Sequence, residues 1–156
     1  MTASHAPTRN WAGNLTYASP RIHRPTSHEE LSTLVRDSPR VRALGSGHSF
    51  NEVADSRHDL VRVDALPQEV EVDPVTSTVT VGAGVRYAEL AVALHRQGFA
   101  LANLASLPHI SVAGSCATGT HGSGDGSRCL SAAVRGLEIV GPDGEPVWLR
   151  RDTDPE

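Results

Sequence analysis

The chain has 156 residues, of which 38% are apolar, and its formal net charge at pH 7 is −4. This apolar fraction is enough for the core of one domain, or of one domain and part of another. The acidic balance argues against nucleic acid as a partner, because a surface that binds phosphates is basic. All 14 basic residues are arginine, which excludes chemistry that requires a lysine.

The two cysteines, Cys116 and Cys129, do not indicate a disulfide framework or a zinc site, because neither belongs to a spaced pair. We expect both to be reduced thiols that pack as small apolar residues. The N-terminus lacks the basic start and apolar run of a secretory signal, and no apolar run reaches the length of a membrane span. A cytoplasmic protein without a metal or membrane partner is expected.

The first half of the chain predicts a small mixed unit. Its first nine residues are polar, and we expect them to be frayed. Ser27 and Glu30 have the spacing of a capping box, and apolar residues at helical spacing follow, which predicts a helix over 28–37. Short apolar runs predict three strands, at 22–25, 41–44 and 60–64. Because the first of these ends in a proline, which cannot donate to a ladder, we expect it at a sheet edge.

The second half predicts two hairpins around a helix. Alternating residues at 69–73 and 78–81 flank a turn and predict the first hairpin. An apolar stripe from Tyr87 to Leu94 predicts a helix that ends at Gly98. The segments 134–140 and 146–149 predict the second hairpin. The polar residues after it form no closing element, so we expect a fragment of a longer chain.

A glycine loop with a histidine follows the predicted strand 41–44. In this first glycine loop, residues 45–50, two glycines let the backbone approach a ligand and adopt positive φ. Consecutive amide groups in such a turn bind anionic groups such as phosphates, and His48 adds a nucleophilic nitrogen. A Rossmann fingerprint is the alternative, with Asp64 as its acidic residue, but Phe50 replaces the third glycine and no helical stripe follows. A simple tight turn is the remaining alternative.

A second glycine loop, residues 114–122, follows a segment of small residues. Gly114 and Gly119 with Thr120 resemble a P-loop only in outline, because that motif needs a lysine on the phosphates and the chain has none. Hydroxyl groups offer hydrogen-bond donors that would take the place of the missing lysine, at Ser106, Ser111, Thr118 and Thr120. Alternatively, the hydroxyls at 118 and 120 cap a helix end.

The two loops together carry a family resemblance. The motif GSGHSF at 45–50 resembles the histidine-bearing loop of the FAD-dependent oxidases of the vanillyl-alcohol-oxidase/p-cresol-methylhydroxylase fold. The segments ASLPHISVAG at 105–114 and ATGTHG at 117–122, with NWAGN at 10–14, narrow the resemblance to the alditol and sugar-lactone oxidases. It extends from about residue 10 to the end of the chain.

This resemblance implies an α+β fold, an FAD-binding domain of the PCMH type that is incomplete at its C-terminal end. Two small α/β subdomains, 1–67 and 68–156, would hold FAD between them, and the substrate domain would be absent. In many such enzymes the histidine equivalent to His48 bonds covalently to the flavin, and Ser106 is expected near its reactive end. The cofactor-binding residues that the resemblance implies are Gly45, Ser46, Gly47, His48, Ser49, Phe50, Ser106, Ser111, Gly114, Thr118, Gly119, Thr120 and His121.

The implied activity is oxidation of the terminal hydroxyl of an alditol, such as xylitol or sorbitol, with O2 as the acceptor and H2O2 as the product. Small-molecule polyols and O2 are therefore the expected partners, and no catalytic residue is assigned within this chain. A lactone oxidase acting on an aldono-1,4-lactone is one alternative, and a non-catalytic, truncated flavin-binding fragment is another. We interpret His109 as an ordinary loop histidine and Cys116 as a small packed thiol.

Overall fold

The computed structural model describes residues 8–153. The predicted frayed segment lies outside that range except for Thr8 and Arg9, which pair with Tyr17 and Thr16. The strands are β1 (Ile22–His23), β2 (Val41–Ala43), β3 (Asp59–Val61), β4 (Val70–Asp73), β5 (Thr78–Val81), β6 (Gly136–Val140) and β7 (Pro146–Arg150). The helices are α1 (His28–Asp37), α2 (Tyr87–Arg96) and α3 (Val112–Ala117), with short 3-10 helices at Glu52–Ala54 and Leu130–Ala133.

The first three strands form a parallel sheet in the order β1-β3-β2. All three residues of β3 are buried, and Leu60 is fully excluded from solvent, as expected for the central strand of a covered sheet. The predicted position of β1 at the edge is confirmed. The first glycine loop leaves the sheet at the carboxyl end of β2.

The predicted helix over 28–37 is confirmed as α1, but its cap differs from the expected capping box. The hydroxyl of Ser27 accepts a hydrogen bond from the amide of Glu30 at 3.1 Å, as predicted. The carboxylate of Glu30 instead accepts from the amide and the hydroxyl of Thr26, at 2.7 and 2.9 Å. The reciprocal bond therefore reaches one residue further back than the sequence pattern indicates.

The main hydrophobic core lies in the second half of the chain. Helix α2 packs with the predicted hairpin β4–β5, and the helix ends before Gly98, which has φ +80°. The buried members of this core are Val85, Tyr87, Leu90, Leu94, Ile110 and Leu130. Both the helix and the hairpin are confirmed, because their apolar residues follow the periods of the elements that bury them.

Helix α3 is absent from the elements that the sequence predicts. Its residues are small, so it has no apolar stripe that a periodicity argument would detect. The amides of Val112 and Ala113 in its first turn donate to the carbonyls of Val85 and Ala83, at 2.9 and 3.3 Å. Contacts with the segment before α2 thus hold this short helix in place.

The last hairpin, β6–β7, is antiparallel, with Val140 opposite Pro146. Its first strand begins at Gly136 rather than at 134, because a 3-10 helix occupies the residues just before it. In the turn, a Cβ on Gly144 would lie 2.7 Å from the carbonyl oxygen of Ser32 in α1. The hairpin turn therefore packs against the first half of the chain.

Candidate functional site

The first glycine loop presents a run of unpaired amides. The amide of Leu44 donates to the carbonyl of Val61 at 2.8 Å, which continues the sheet. From Gly45 to Asn51, none of the backbone N–H groups donates to a residue that the structure describes. A run of free amides in a turn is the arrangement that binds anionic groups.

The carbonyl groups of the same loop are held from the opposite side. The amide of Trp11 donates to the carbonyl of Gly47 at 2.8 Å, and the side-chain amide of Asn10 donates to the carbonyl of Ser49 at 3.0 Å. Asn14 donates to the carbonyl of Phe50 at 3.2 Å. Asn10 is only 5% exposed, so its side of this bond is shielded from water. The N-terminal segment thus fixes the loop while leaving its amides free.

The first glycine loop meets the start of α3 at Ser111, and the predicted second loop is helical over its first four residues, because α3 extends to Ala117. The amide of Ser111 donates to the hydroxyl of Ser46 at 3.3 Å. A Cβ on Gly45 would lie 2.8 Å from the hydroxyl oxygen of Ser111, and a Cβ on Gly114 would lie 2.7 Å from it. The Cβ on Gly45 would also lie 3.5 Å from the Cα of Gly114, so the two glycines face each other across a close contact. The Ser111 hydroxyl is buried and has no hydrogen-bond partner among the described residues.

His48 lies in a cluster of three rings. The ring of Trp11 stacks on it, with centroids 4.2 Å apart and planes 26° apart. Nε2 of His48 is hydrogen-bonded to Nε2 of His109, and their ring centroids are 4.4 Å apart. Burial, with the neighbouring His109, lowers the pKa of His48 below its usual value. His48 is therefore neutral at pH 7.

His109 is the site residue that sequence reasoning missed. Its sequence context predicts an ordinary loop histidine, yet it contacts both His48 and Trp11, whose ring centroid is 5.6 Å from its own. The proline before it is a loop signal, and no local pattern shows which loop faces another. The signal that could have found it is its place within the segment 105–114, which carries the resemblance.

A pocket of about 390 Å³ opens beside His48. Leu107 and Ile110 form an apolar part of its wall, while Thr118 and Thr120 add hydroxyl groups. The lining residues are His48, Ser49, Phe50, Asn51, Val53, Leu107, Ile110, Thr118 and Thr120. An apolar wall with a few polar groups is typical of a site for a ring-shaped cofactor.

Other predicted residues lie around this pocket with different contacts. Ser106 is exposed and precedes Leu107 of the lining. The hydroxyl of Thr118 donates to the carbonyl of Gly114 at 3.0 Å, so this residue bonds at the end of α3, as its alternative role predicts. Gly119 has φ +66° and contributes a turn. His121 bonds to the carbonyl of Gly122 and is not among the described residues that line the pocket.

Asp64, the acidic residue of the Rossmann alternative, forms ion pairs with two arginines. It accepts from Arg24 at 3.0 Å and from Arg62 at 2.6 Å. Only a short 3-10 helix follows the first glycine loop, so no helix N-terminus within the described residues faces it in the Rossmann manner. The dinucleotide-binding fingerprint therefore lacks both its helix and a free carboxylate.

Neither a metal centre nor a membrane span is present in the described part of the chain. No group of three or more metal-ligating side chains occurs within residues 8–153. Among the helices in that range, none has the length and apolar character needed to cross a bilayer.

Comparison with known proteins matches residues 20–150 to the FAD binding domain family. The chain is 56% identical over 143 residues to an alditol oxidase of a Streptomyces species, which covers 90% of this chain and 34% of that protein. It is 34% identical over 149 residues to an L-gulono-1,4-lactone dehydrogenase of Mycobacterium tuberculosis, covering 93% of this chain and 35% of that protein. The chain thus spans about a third of the length of these relatives.

Solved structures share the fold. A xylooligosaccharide oxidase from Myceliophthora thermophila superposes with a TM-score of 0.78 at 20% identity, covering 97% of this chain and 34% of that one. The cholesterol oxidase of B. sterolicum gives a TM-score of 0.75 at 18% identity, covering 93% and 32%. The predicted α+β fold of FAD-linked oxidases is confirmed by these likenesses. With a match that extends over most of its length, the chain belongs to the FAD binding domain family.

Proposed function

We propose that this chain forms the FAD-binding part of a flavoprotein oxidase that oxidises the terminal hydroxyl of alditols, such as xylitol or sorbitol. O2 is the acceptor and H2O2 the product. The identity of 56% to an alditol oxidase, against 34% to a lactone dehydrogenase over a similar range, supports the alditol as substrate. One observation supports cofactor binding above the others. The two glycine-rich segments are in contact, and the amides of the first have no acceptor among the described residues.

The residues present fit FAD. The amides of 45–51 have no acceptor among the described residues, and the buried hydroxyl of Ser111 has no partner there, so both are suited to an anionic group such as the pyrophosphate. The pocket beside His48 has an apolar wall for a ring system. When bound, FAD would supply the capacity to accept a hydride from the substrate carbon. The chain's own residues would bind it, orient it and shield it from water.

His48 is proposed as the covalent attachment point for FAD. It is neutral, stacked on one face by Trp11, and exposed to the pocket on another side. A neutral imidazole has a lone pair on one nitrogen and is therefore a competent nucleophile. The remaining cofactor contacts predicted from the sequence, including Ser106 and His121, are proposed on family resemblance.

Acid precipitation tests this attachment. The chain is incubated with FAD and precipitated with acid, and the flavin absorbance of the pellet is measured. We expect a coloured pellet for the wild type and a colourless one for His48→Ala. His95→Ala, at an exposed position on α2, is the matched control and should retain the colour. Flavin that stays with precipitated His48→Ala would contradict the assignment.

Substrate class requires a separate measurement. Peroxide release is followed with xylitol, sorbitol and an aldono-1,4-lactone, using the protein at its full natural length. Turnover of the lactone in preference to the polyols would favour the lactone oxidase alternative. We expect residues 1–156 alone not to turn over, because no side chain in the chain is assigned as the general base. Polyol-dependent peroxide from that chain would refute this expectation.

Two further predictions from the sequence are also proposals. They are the division into subdomains between residues 67 and 68 and the cytoplasmic location. A non-catalytic flavin-binding fragment is the alternative from another functional class. A chain that binds FAD but gives no peroxide with any substrate, even at full natural length, would favour it.

A further inference from the structure

One hydrogen bond joins two histidines from different loops of the candidate site. Nε2 of His48 faces Nε2 of His109, although the residues are 61 positions apart in the chain. A bond between two neutral ring nitrogens needs one N–H and one lone pair. One ring therefore carries its proton on Nε2 and the other on Nδ1, so the pair fixes the two tautomers relative to each other.

The other nitrogen of His48 is open. No described residue makes a hydrogen bond to its Nδ1. The ring cannot rotate freely, because Trp11 stacks on it with centroids 4.2 Å apart and also lies beside His109. If His48 bonds to a ligand in the pocket, Nδ1 is the nitrogen that the pairing leaves available.

We propose that His109 is a positioning residue that keeps His48 protonated at Nε2, so that the lone pair of Nδ1 would be free to bond to the cofactor. His109 then accepts the Nε2 proton as the covalent bond to the flavin forms. This inference rests on the proposed attachment of FAD at His48. With the opposite arrangement, in which His109 donates, His48 would carry its proton on Nδ1 and that nitrogen would have no lone pair to share.

The attachment is balanced in atoms and electrons. A bond would form between Nδ1 of His48 and the C8 methyl carbon of the flavin, and one C–H bond of that carbon would break. The N–H bond at Nε2 of His48 also breaks, and its proton passes to Nε2 of His109 along the existing hydrogen bond. The two electrons would reduce one O2, which takes up two protons from solvent to give H2O2, equal in number to the two that the C–H and N–H bonds release. His109 afterwards releases its proton to solvent, which its partly exposed ring can reach.

The electrostatics agree with this direction of transfer. Burial and the neighbouring His109 lower the pKa of His48, so its neutral form predominates at pH 7. Alkylation at Nδ1 would make the ring cationic, and in this half-buried position a base in contact with Nε2 relieves that charge. The described residues place no carboxylate in hydrogen-bond contact with His48, so His109 is the base at hand.

Nitrogen NMR of the flavin-free chain tests the tautomer directly. The protein is labelled with ¹⁵N-histidine, and the signals of His48 are assigned by their loss in His48→Asn. We expect His48 to be protonated at Nε2 and unprotonated at Nδ1 in the wild type. In His109→Leu this preference should be lost, and in His109→Gln the amide oxygen should restore it by accepting from Nε2. His95→Leu, exposed on α2, is the control.

A wild-type His48 protonated at Nδ1 would overturn the proposal. So would a His48 spectrum that does not change in His109→Leu, once circular dichroism has shown that this variant is folded. Should His109→Leu fail to fold, the wild type and His109→Gln still decide the tautomer. These readouts need no flavin, so they do not depend on the proposed attachment.

The rate of attachment tests the proton transfer. FAD is added to the apo chain, and acid-stable flavin is measured over time. We expect His109→Leu to be slower by at least about 10-fold, as for loss of a general base. His109→Gln should lie between, because an amide selects the tautomer but takes no proton. Equal rates in wild type and His109→Leu would overturn the role of His109, whereas no acid-stable flavin in the wild type would contradict the attachment itself.

Discussion

The contact between the two glycine loops depends on the absence of two Cβ atoms. Gly45 and Gly114 flank the buried hydroxyl of Ser111, and a methyl group on either would come within 2.8 Å of that oxygen. A side chain at either position would therefore have to displace the Ser111 hydroxyl. Gly47 contributes in another way, because its φ of +71° is a conformation that other residues rarely adopt.

We predict that Gly45→Ala weakens both folding and cofactor binding. The added methyl group must displace Ser111, which costs about 1–3 kcal/mol in a well-packed region. Urea unfolding and a titration with FAD followed by fluorescence measure the two effects. Gly126→Ala is the matched control, because a Cβ there meets nothing within 4 Å. Similar losses in both variants would show that loop contact is not the cause.

A pH-dependent contribution to stability comes from Asp59. Its pKa is lowered chiefly by hydrogen bonds from Arg21, at 2.9 and 3.0 Å, with His23 contributing. Because the pKa in the folded chain is below that in the unfolded chain, the stabilisation is complete above the ordinary pKa of about 4. It is lost as the pH falls through the lower folded value.

We therefore predict that Asp59→Asn destabilises the chain at pH 7 and that the difference from wild type shrinks as the pH falls below about 4. Urea unfolding at a series of pH values measures it. Asp125→Asn is the control, since Asp125 is exposed and forms no ion pair within residues 8–153. A difference that stays constant down to acid pH would contradict the role of the ionised carboxylate.

Among the elements, the short strands of the first sheet depend on buried side chains for their stability. Each strand has only two or three residues, so buried side chains such as Leu31 of α1 and Leu60 of β3 must supply the stability that so short a ladder lacks. Helix α1 contributes Leu31 as its buried residue. Its start is set by the hydroxyl of Ser27.

We predict that Ser27→Ala lowers the free energy of unfolding by about 1 kcal/mol, because the amide of Glu30 loses its acceptor. Thermal or urea unfolding measures the change. Ser123→Ala, at an exposed loop position with no hydrogen bond in the described structure, should have little effect. If the two substitutions were equally harmless, the cap would not contribute to stability.

For the molecule as a whole, the hairpin β6–β7 presents an uncovered apolar face. Leu137 lies opposite Leu149 and Ile139 opposite Val147, so the four side chains share one face. Each is between 44% and 48% exposed. Clustered apolar surface of this kind favours association, whereas a single exposed apolar residue does not.

We predict that the chain of 156 residues associates with increasing concentration and that Ile139→Glu reduces this association. Sedimentation velocity over a concentration series measures it. Val75→Glu is the matched control, because Val75 is 91% exposed in the turn between β4 and β5, away from this face. An equal reduction in both variants would indicate a general effect of charge.

Much of the local structure could be predicted from the sequence alone. The helix over 28–37, the hairpin β4–β5 and the helix ending before Gly98 all agree with the structure. These elements repeat their apolar residues with the period of the surface that they bury, so a short stretch contains the whole signal. The glycine loop at 45–50 and the family resemblance were readable for the same reason, as runs of neighbouring residues.

Which residues come together in the candidate site depended instead on contacts between segments that are far apart in the sequence. The bond between Ser46 and Ser111 joins residues 65 positions apart, and the pairing of His48 with His109 spans 61. Helix α3 has no apolar period, and its position depends on carbonyl groups of the segment before α2. Such contacts arise from how the end of β2 packs against a later loop, and no local pattern along the chain specifies that distance or orientation.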